Sequence, residues 1–182
     1  MPALVALALS IAVLGAIWAY LALGPLSPLL VWAGFIAWGC FFHTGGDTKA
    51  LVKTICGNAY GALIAWIALL LIFNTGVGGA GTIAIAGVVG VTVFFLVIVA
   101  SIEQLSAVPA NVYGYAATVA YSLHQASAPA ATAGEHGTGP LQNLTTAGLA
   151  NPLVLLIISM VIGAFAGYLS GQLSKTLTKK TA

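Results

Sequence analysis

The hydrophobic positions along the chain fall into six runs, which are separated by short polar or glycine-rich stretches. Because lipid offers no hydrogen-bonding partner to an open strand, apolar runs of this length are predicted to form helices. A helix needs about 20 apolar residues to cross the hydrocarbon core, and the second run is the one that falls clearly short of that length. The predicted spans are Leu4–Leu23, Leu29–Phe42, Ala50–Phe73, Thr82–Ile102, Leu105–Leu123 and Pro152–Leu173.

The composition excludes an ordinary soluble domain. Hydrophobic residues make up 60% of the 182 residues and charged residues only 4%, whereas soluble domains carry about 25% charged residues. The first run lacks a preceding basic segment and is long enough to span, so we expect a transmembrane helix rather than a cleaved signal. The predicted fold class is an all-α membrane protein with six transmembrane helices. It forms a single transmembrane domain over residues 1–182, with the lipid bilayer as its main partner.

The basic residues predict the orientation of the chain. They are all lysines, and they lie after the second run and after the sixth run, at Lys49, Lys53, Lys175, Lys179 and Lys180. With six spans these two places fall on the same side, which the positive-inside rule assigns to the cytoplasm. Both termini are then cytoplasmic, and residues 124–150 form an extracytoplasmic loop. Because the lysines lie at helix ends rather than in one patch, no nucleic-acid partner is expected.

Glycines four residues apart suggest a repeated unit of three helices. Gly57 and Gly61 lie in the third span, and Gly163, Gly167 and Gly171 lie in the sixth. Small residues at this spacing allow close helix packing in lipid. Two units of three spans enter the membrane in opposite directions, so we predict inverted repeats over about 1–76 and about 77–175. Inverted repeats are typical of transporters, whose solute sites lie near the repeat interface.

The fifth span is the candidate lining of a solute pathway, because it carries polar groups at membrane depth. These are Pro109, Asn111, Tyr113, Tyr115 and Thr118. Proline removes a backbone hydrogen bond and crowds the preceding turn, and a freed carbonyl in a membrane needs protein or a wet cavity beside it. The alternative is a packed, proline-kinked helix whose polar groups bond to neighbouring helices.

Two further side chains are candidates for the same pathway. Asn58 lies inside the third span, where an amide needs partners; it either faces the pathway or ties two helices together. Trp38 lies in the second span and either lines or narrows a pore or anchors the helix at the membrane interface.

The connection between the second and third spans is polar, with the sequence HTGGDTK. Asp47 is predicted to cap the third helix, since a carboxylate there accepts unpaired N–H groups and meets the positive helix end. His43 has no such structural reason and is a candidate for the inner mouth of a pathway, which a histidine would make pH-sensitive. Asp47 and Glu103 lie near the same face and are candidates for the same inner mouth. They either meet as a gate or a cap pair or remain two solvated helix ends.

The sequence resembles the bacterial inner-membrane family catalogued as domain of unknown function 1097. The resemblance runs from the first helix to about Leu173. It rests on Trp32, Gly34 and Phe35 at the start of the second span and on the Gly45–Gly46 turn. The Val108–Pro109 segment of the fifth span carries it further. The resemblance implies a small multi-pass inner-membrane protein and supplies no substrate and no site residues.

Catalysis is not expected, because the chain contains no HExxH, no paired intramembrane Asp and no G-x-S-x-G elbow. His43 and His124 are predicted on opposite sides of the membrane, so they cannot ligate one haem, and no cofactor or metal is expected. Coupled transport usually requires charged residues within the spans. Their scarcity here favours passive movement of a small, mostly uncharged solute such as urea, an amide, ammonia or a weak acid. The alternative function is a non-catalytic subunit or scaffold that packs against partner proteins. A homo-oligomer is expected by analogy with small six-helix channels.

Overall fold

The computed structural model of the chain describes residues 1–127 and 140–178. Part of the predicted loop at 124–150 therefore lies outside the described residues. Lys179 and Lys180 also lie outside them. The described residues form six α-helices and no strand, which confirms the all-α class. The helices are α1 (Ala3–Leu23), α2 (Val31–His43), α3 (Thr48–Asn74), α4 (Thr82–Ile98), α5 (Val108–Ser127) and α6 (Pro152–Leu177).

Four segments of this structure are long and apolar enough to cross a membrane. They are α1, α3, α6 and the stretch Thr82–Ser101, which contains α4 and the short turn after it. α2 has 13 residues, a length of about 20 Å against a hydrocarbon core of about 30 Å. α5 carries polar residues along its whole length and is not among these four. The apolar helices indicate a membrane protein.

The start of α5 differs from the prediction. Pro109 is the second residue of the helix rather than an interior residue, and proline in a first turn breaks no helical hydrogen bond because the N–H it lacks would be unpaired there. The expected proline kink is therefore absent. The chain reaches α5 through two short 3-10 turns, Val99–Ser101 and Glu103–Leu105.

Two hydrogen bonds show which helix ends lie next to each other. The indole Nε1 of Trp18, near the end of α1, donates to the carbonyl of Val31 at the start of α2 at 3.0 Å. The N-terminal amine of Met1 donates to the carbonyl of Leu177 at the end of α6 at 3.3 Å. Both ends of the described chain therefore lie at one end of the bundle, which we call the terminal end.

α3 and α5 form a close parallel crossing at glycines. A Cβ atom added at Gly57 would lie 2.6 Å from the Ala110 Cβ and 2.8 Å from the Asn111 Oδ1. A Cβ added at Gly61 would meet the backbone of Asn111 and Tyr115. Real Cβ atoms do not approach other atoms this closely, so only glycine fits at these two positions. The backbones of α3 and α5 can therefore touch.

α2 and α6 form a second close crossing, also in parallel. A Cβ at Gly163 would meet the backbone of Gly34, and one at Gly167 would lie 3.0 Å from Trp38 Cδ1. Gly171 is less constrained, since its added Cβ would be 3.8 Å from the Phe41 ring. α1 packs on α6 and α4 packs on α3, while α3 and α6 also contact each other. The main buried cluster lies between α2, α3, α5 and α6 and comprises Ala33, Ala37, Phe41, Ala50, Leu51, Ala117, Leu156, Met160 and Ala164.

Candidate functional site

A groove of about 680 Å³ lies between α2 and α5. Along α2 the lining extends from Trp32 to His43, a rise of about 16 Å parallel to the helix axis. We call this cavity the α2–α5 groove. Its lining residues are Trp32, Phe35, Ile36, Gly39, Cys40, His43, Tyr113, Ala116, Ala117 and Ala120.

The lining of the α2–α5 groove is mostly apolar and aromatic. Phe35 stacks on Trp38, with ring centroids 5.6 Å apart and planes 9° apart. Cys40 and Ala117 are buried, so the groove reaches the core of the bundle, whereas Trp32, Phe35 and Ile36 are exposed along its outer edge. Within the described residues, no Asp, Glu, Lys or Arg lines it. A concave, apolar surface with few polar groups suits a small and weakly polar ligand.

One polar pair lies at the terminal end of the groove. The Nδ1 of His43 is 3.0 Å from the phenol oxygen of Tyr113, and the tautomer of the imidazole decides which atom donates. The centroids of the imidazole ring and the phenol ring are 6.0 Å apart. Because His43 ends α2 and Tyr113 belongs to the second turn of α5, this hydrogen bond joins the two helices that form the groove.

The three candidate residues of the inner mouth occupy separate places. His43 lines the α2–α5 groove, whereas Asp47 caps α3: its Oδ1 accepts a hydrogen bond from the Ala50 N–H at 2.7 Å. The reversal before this cap requires positive φ angles, 122° at Gly45 and 68° at Gly46, which glycine adopts readily. Glu103 lines a different cavity of about 220 Å³ beside Lys49 and Lys53. The structure therefore does not bring His43 and Glu103 into one mouth.

Most of the polar side chains predicted along the fifth span are bonded within the protein. The Nδ2 of Asn111 donates to the carbonyls of Leu96 and Leu105, at 3.1 Å each, and so connects α5 to the last turns of α4 and to the 3-10 turn Glu103–Leu105. The Thr118 hydroxyl donates to the carbonyl of Gly114 in its own helix. Tyr115 bonds through its hydroxyl to Thr92 of α4 at 3.1 Å. Of the candidates on this helix, Tyr113 is the one that lines the groove.

Trp38 is a buried packing residue. Its side chain is 3% exposed, and its indole Nε1 donates to the hydroxyl of Ser170 in α6 at 3.0 Å. Trp38 does not line the α2–α5 groove, and its buried N–H is not free to face a headgroup layer as that of an interface tryptophan does. Trp38 instead connects α2 to α6 and supports Phe35, which does line the groove.

Asn58 is buried, and within the described part of the chain its side chain has no hydrogen-bond partner. The residue is 2% exposed, and neither its Oδ1 nor its Nδ2 has a partner. The Oδ1 of Asn111 and the hydroxyl of Ser122 are also unpartnered. Leaving a buried amide unpaired costs on the order of 2 kcal/mol or more. Asn58 does not line the α2–α5 groove; its backbone instead packs against Gly114 of α5.

Most residues that line the groove were not among the predicted site residues, although the sequence contained a signal for them. On α5 the lining positions 113, 116, 117 and 120 follow the i, i+3, i+4, i+7 spacing of one helix face. On α2 the positions 32, 35, 36, 39 and 43 continue the same period. On α5 this face carries one tyrosine and three alanines. The small alanine side chains leave space beside the helix. Among the described residues, no group of three or more His, Cys, Asp or Glu side chains is placed to hold a metal ion.

Comparison with known proteins places the chain in a family and supplies no activity. No curated protein and no solved structure is detectably similar to it. A family model described as "Protein of unknown function (DUF1097)" matches residues 8–175, which is most of the chain. This match agrees with the resemblance carried by the second span, the Gly45–Gly46 turn and the start of α5. The chain therefore belongs to the DUF1097 family.

Proposed function

We propose that this protein is a channel or transporter that moves a small, mostly uncharged solute passively across the bacterial inner membrane. The observation that carries the proposal is the α2–α5 groove. It runs along the helix axes for about half the thickness of the hydrocarbon core. Its volume of about 680 Å³ lies within the range of small-molecule sites.

The packing of the helices supports two inverted repeats, α1–α3 and α4–α6. In each half the third helix crosses the second helix of the other half, α3 with α5 and α6 with α2. The first helix of each half likewise packs on the third helix of the other half, α4 on α3 and α1 on α6. The α2–α5 groove then lies between the two middle helices, at the repeat interface where such transporters hold their solutes. In this arrangement all six helices cross the membrane.

The chemistry of the groove favours a neutral solute. An ion in an apolar cavity needs a counter-charge, because desolvation is costly, and among the described residues the lining offers only the His43–Tyr113 pair as a strong polar partner. Urea, a short amide, ammonia or the neutral form of a weak acid fits these conditions. We infer no catalytic role and no cofactor.

Orientation and assembly complete the proposal. Lys49, Lys53 and Lys175 belong to the terminal end of the bundle, so the positive-inside rule assigns that end and both termini to the cytoplasm. The edge formed by Trp32, Phe35 and Ile36 is exposed. A second copy of the chain would close the groove on this side, so we propose that the transporting form is a homo-oligomer.

The experiment is solute flux into proteoliposomes, measured by stopped-flow light scattering with urea, acetamide, glycerol and acetate. Gly39→Trp is the blocking variant, because Gly39 lines the groove and an added Cβ there meets no atom within 4 Å. Gly87→Trp is the matched control: it is equally unobstructed and lies on α4, away from the groove. We expect faster swelling with at least one solute, lost in Gly39→Trp and kept in Gly87→Trp.

One observation favours the alternative, a non-catalytic membrane subunit or scaffold. A scaffold should have its polar groups paired within the bundle, and Thr118, Tyr115, Trp38 and the Nδ2 of Asn111 are paired in this way. Rates equal to those of empty liposomes for every solute would support this alternative. A rate that Gly39→Trp leaves unchanged would show that the solute does not use the groove.

A further inference from the structure

A second cavity lies at the terminal end of the bundle, outside the α2–α5 groove. It has a volume of about 220 Å³ and lies between the first turns of α3 and the short 3-10 turn Glu103–Leu105. We call it the lysine cavity. Its lining residues are Thr48, Lys49, Val52, Lys53, Glu103 and Gln104.

The charges of the lysine cavity suit a single negative charge. Lys49 and Lys53 are four residues apart on α3, so their side chains share one face of the helix. Two lysines and one glutamate, Glu103, line the cavity, so its lining carries a formal net charge of +1. The lining of the lysine cavity therefore carries one positive charge more than it carries negative charges.

Neutral groups add hydrogen-bond donors around this charge. Thr48 and Gln104, whose side chains carry a hydroxyl and an amide, also line the lysine cavity. Thr48 and Lys49 begin α3, where the first N–H groups have no partner within the helix, and Asp47 accepts only that of Ala50. Ammonium, hydroxyl, amide and free N–H groups are the donors that bind phosphate oxygens in proteins.

The position of the lysine cavity points to a lipid rather than a dissolved ion. α3 is one of the segments long and apolar enough to cross the membrane. Lys53 is the sixth residue of that helix, only about 8 Å along the axis from its start, which is the depth of the headgroup layer. Val52, on the same turns, is 45% exposed. An apolar wall beside the two lysines suits the glycerol and upper acyl region of a lipid.

We propose that the lysine cavity binds the phosphate of an anionic phospholipid headgroup. A phosphodiester carries one negative charge, which matches the net charge of the cavity, and basic pockets between helices on the cytoplasmic side are suited to such headgroups. This inference does not depend on the proposed transport function. The lipid holds the start of α3 against the Glu103–Leu105 turn and so stabilises the terminal end of the bundle.

The test is the thermal unfolding of the full chain in detergent, titrated with phosphatidylglycerol, phosphatidylcholine or inorganic phosphate. We expect phosphatidylglycerol to raise the Tm, whereas the other two leave it unchanged. In the double variant Lys49→Gln, Lys53→Gln the apparent Kd for phosphatidylglycerol should rise roughly 30-fold, since each lysine near the surface is worth about 1 kcal/mol. Lys175→Gln is the matched control, because it removes an exposed lysine at the same end and outside the cavity.

Glu103→Gln keeps the proposal testable if the double variant does not fold. Removing the carboxylate raises the net charge of the cavity, so this variant should bind phosphatidylglycerol several-fold more tightly than the unaltered chain. The proposal is overturned if the double variant keeps its affinity or if Glu103→Gln weakens binding. Equal stabilisation by phosphatidylcholine, or by inorganic phosphate, would likewise exclude an anionic headgroup as the ligand.

Discussion

The close crossing of α3 and α5 predicts that the substitution Gly61→Ala lowers the stability of the protein. Gly61 lies in α3, directly against the backbone of α5. An added Cβ would lie 2.7 Å from the backbone N of Tyr115 and closer still to the carbonyl of Asn111. Both obstacles are backbone atoms, which cannot rotate away as the end of a side chain can. The two helices must therefore separate.

The size of the effect follows from these distances. Ordinary van der Waals contact begins at 3.4 Å, and the added Cβ would lie 2.7 Å from the backbone N of Tyr115. The two helices must therefore move apart by about 0.7 Å to remove this one clash. The clash with the Asn111 carbonyl requires a larger movement. A gap of 0.5–1 Å forfeits roughly a quarter to a half of the dispersion energy of each contact across the crossing. Overpacking of this kind costs about 1–3 kcal/mol. Alanine returns at most about 1 kcal/mol through its higher helix propensity.

The assay is reversible unfolding in mixed micelles with increasing denaturing detergent, followed by circular dichroism. Gly87→Ala is the control, because an added Cβ on that residue of α4 meets no atom within 4 Å, and it keeps the same gain in helix propensity. The difference between the two variants isolates the overpacking cost, and we expect Gly61→Ala to be the less stable by about 1–3 kcal/mol. Equal unfolding curves for the two variants would refute the close crossing.

Three further predictions use the same unfolding assay. Asp47→Ala should lose about 1 kcal/mol because the N-cap of α3 is removed, and Asp47→Asn should restore most of it; no loss would mean that the cap is not formed. Ser170→Ala should cost about 1–3 kcal/mol, since it leaves the buried indole N–H of Trp38 unpaired; an effect within error would contradict that hydrogen bond. Asn58→Leu should leave stability equal or higher, because it removes an unpartnered buried amide. A loss of more than about 1 kcal/mol would show that the amide has a partner such as a bound water.

Hydropathy and capping signals in the sequence determined most of the secondary structure. The long apolar runs predicted α1, α3 and α6 to within a few residues, because the cost of unpaired backbone groups in lipid forces such runs into helices. Asp47 was correctly predicted to cap α3, since a carboxylate at that position is a local signal. The start of α5 was missed, because Pro109 was placed inside a helix that in fact begins one residue before it.

Tertiary structure alone decided how the helices pair and what the polar side chains do. Sequence reasoning placed Gly57 and Gly61 at a helix contact, but only the structure shows that α5 is their partner. The structure also shows that the Asn111 side chain bonds to the carbonyls of Leu96 and Leu105. His43 and Glu103 line different cavities. The physical reason is that the helices are surrounded by lipid rather than by water. In lipid the outward and inward faces of a helix are both apolar, so hydrophobic periodicity does not point toward a partner, and close packing and hydrogen bonds select it instead.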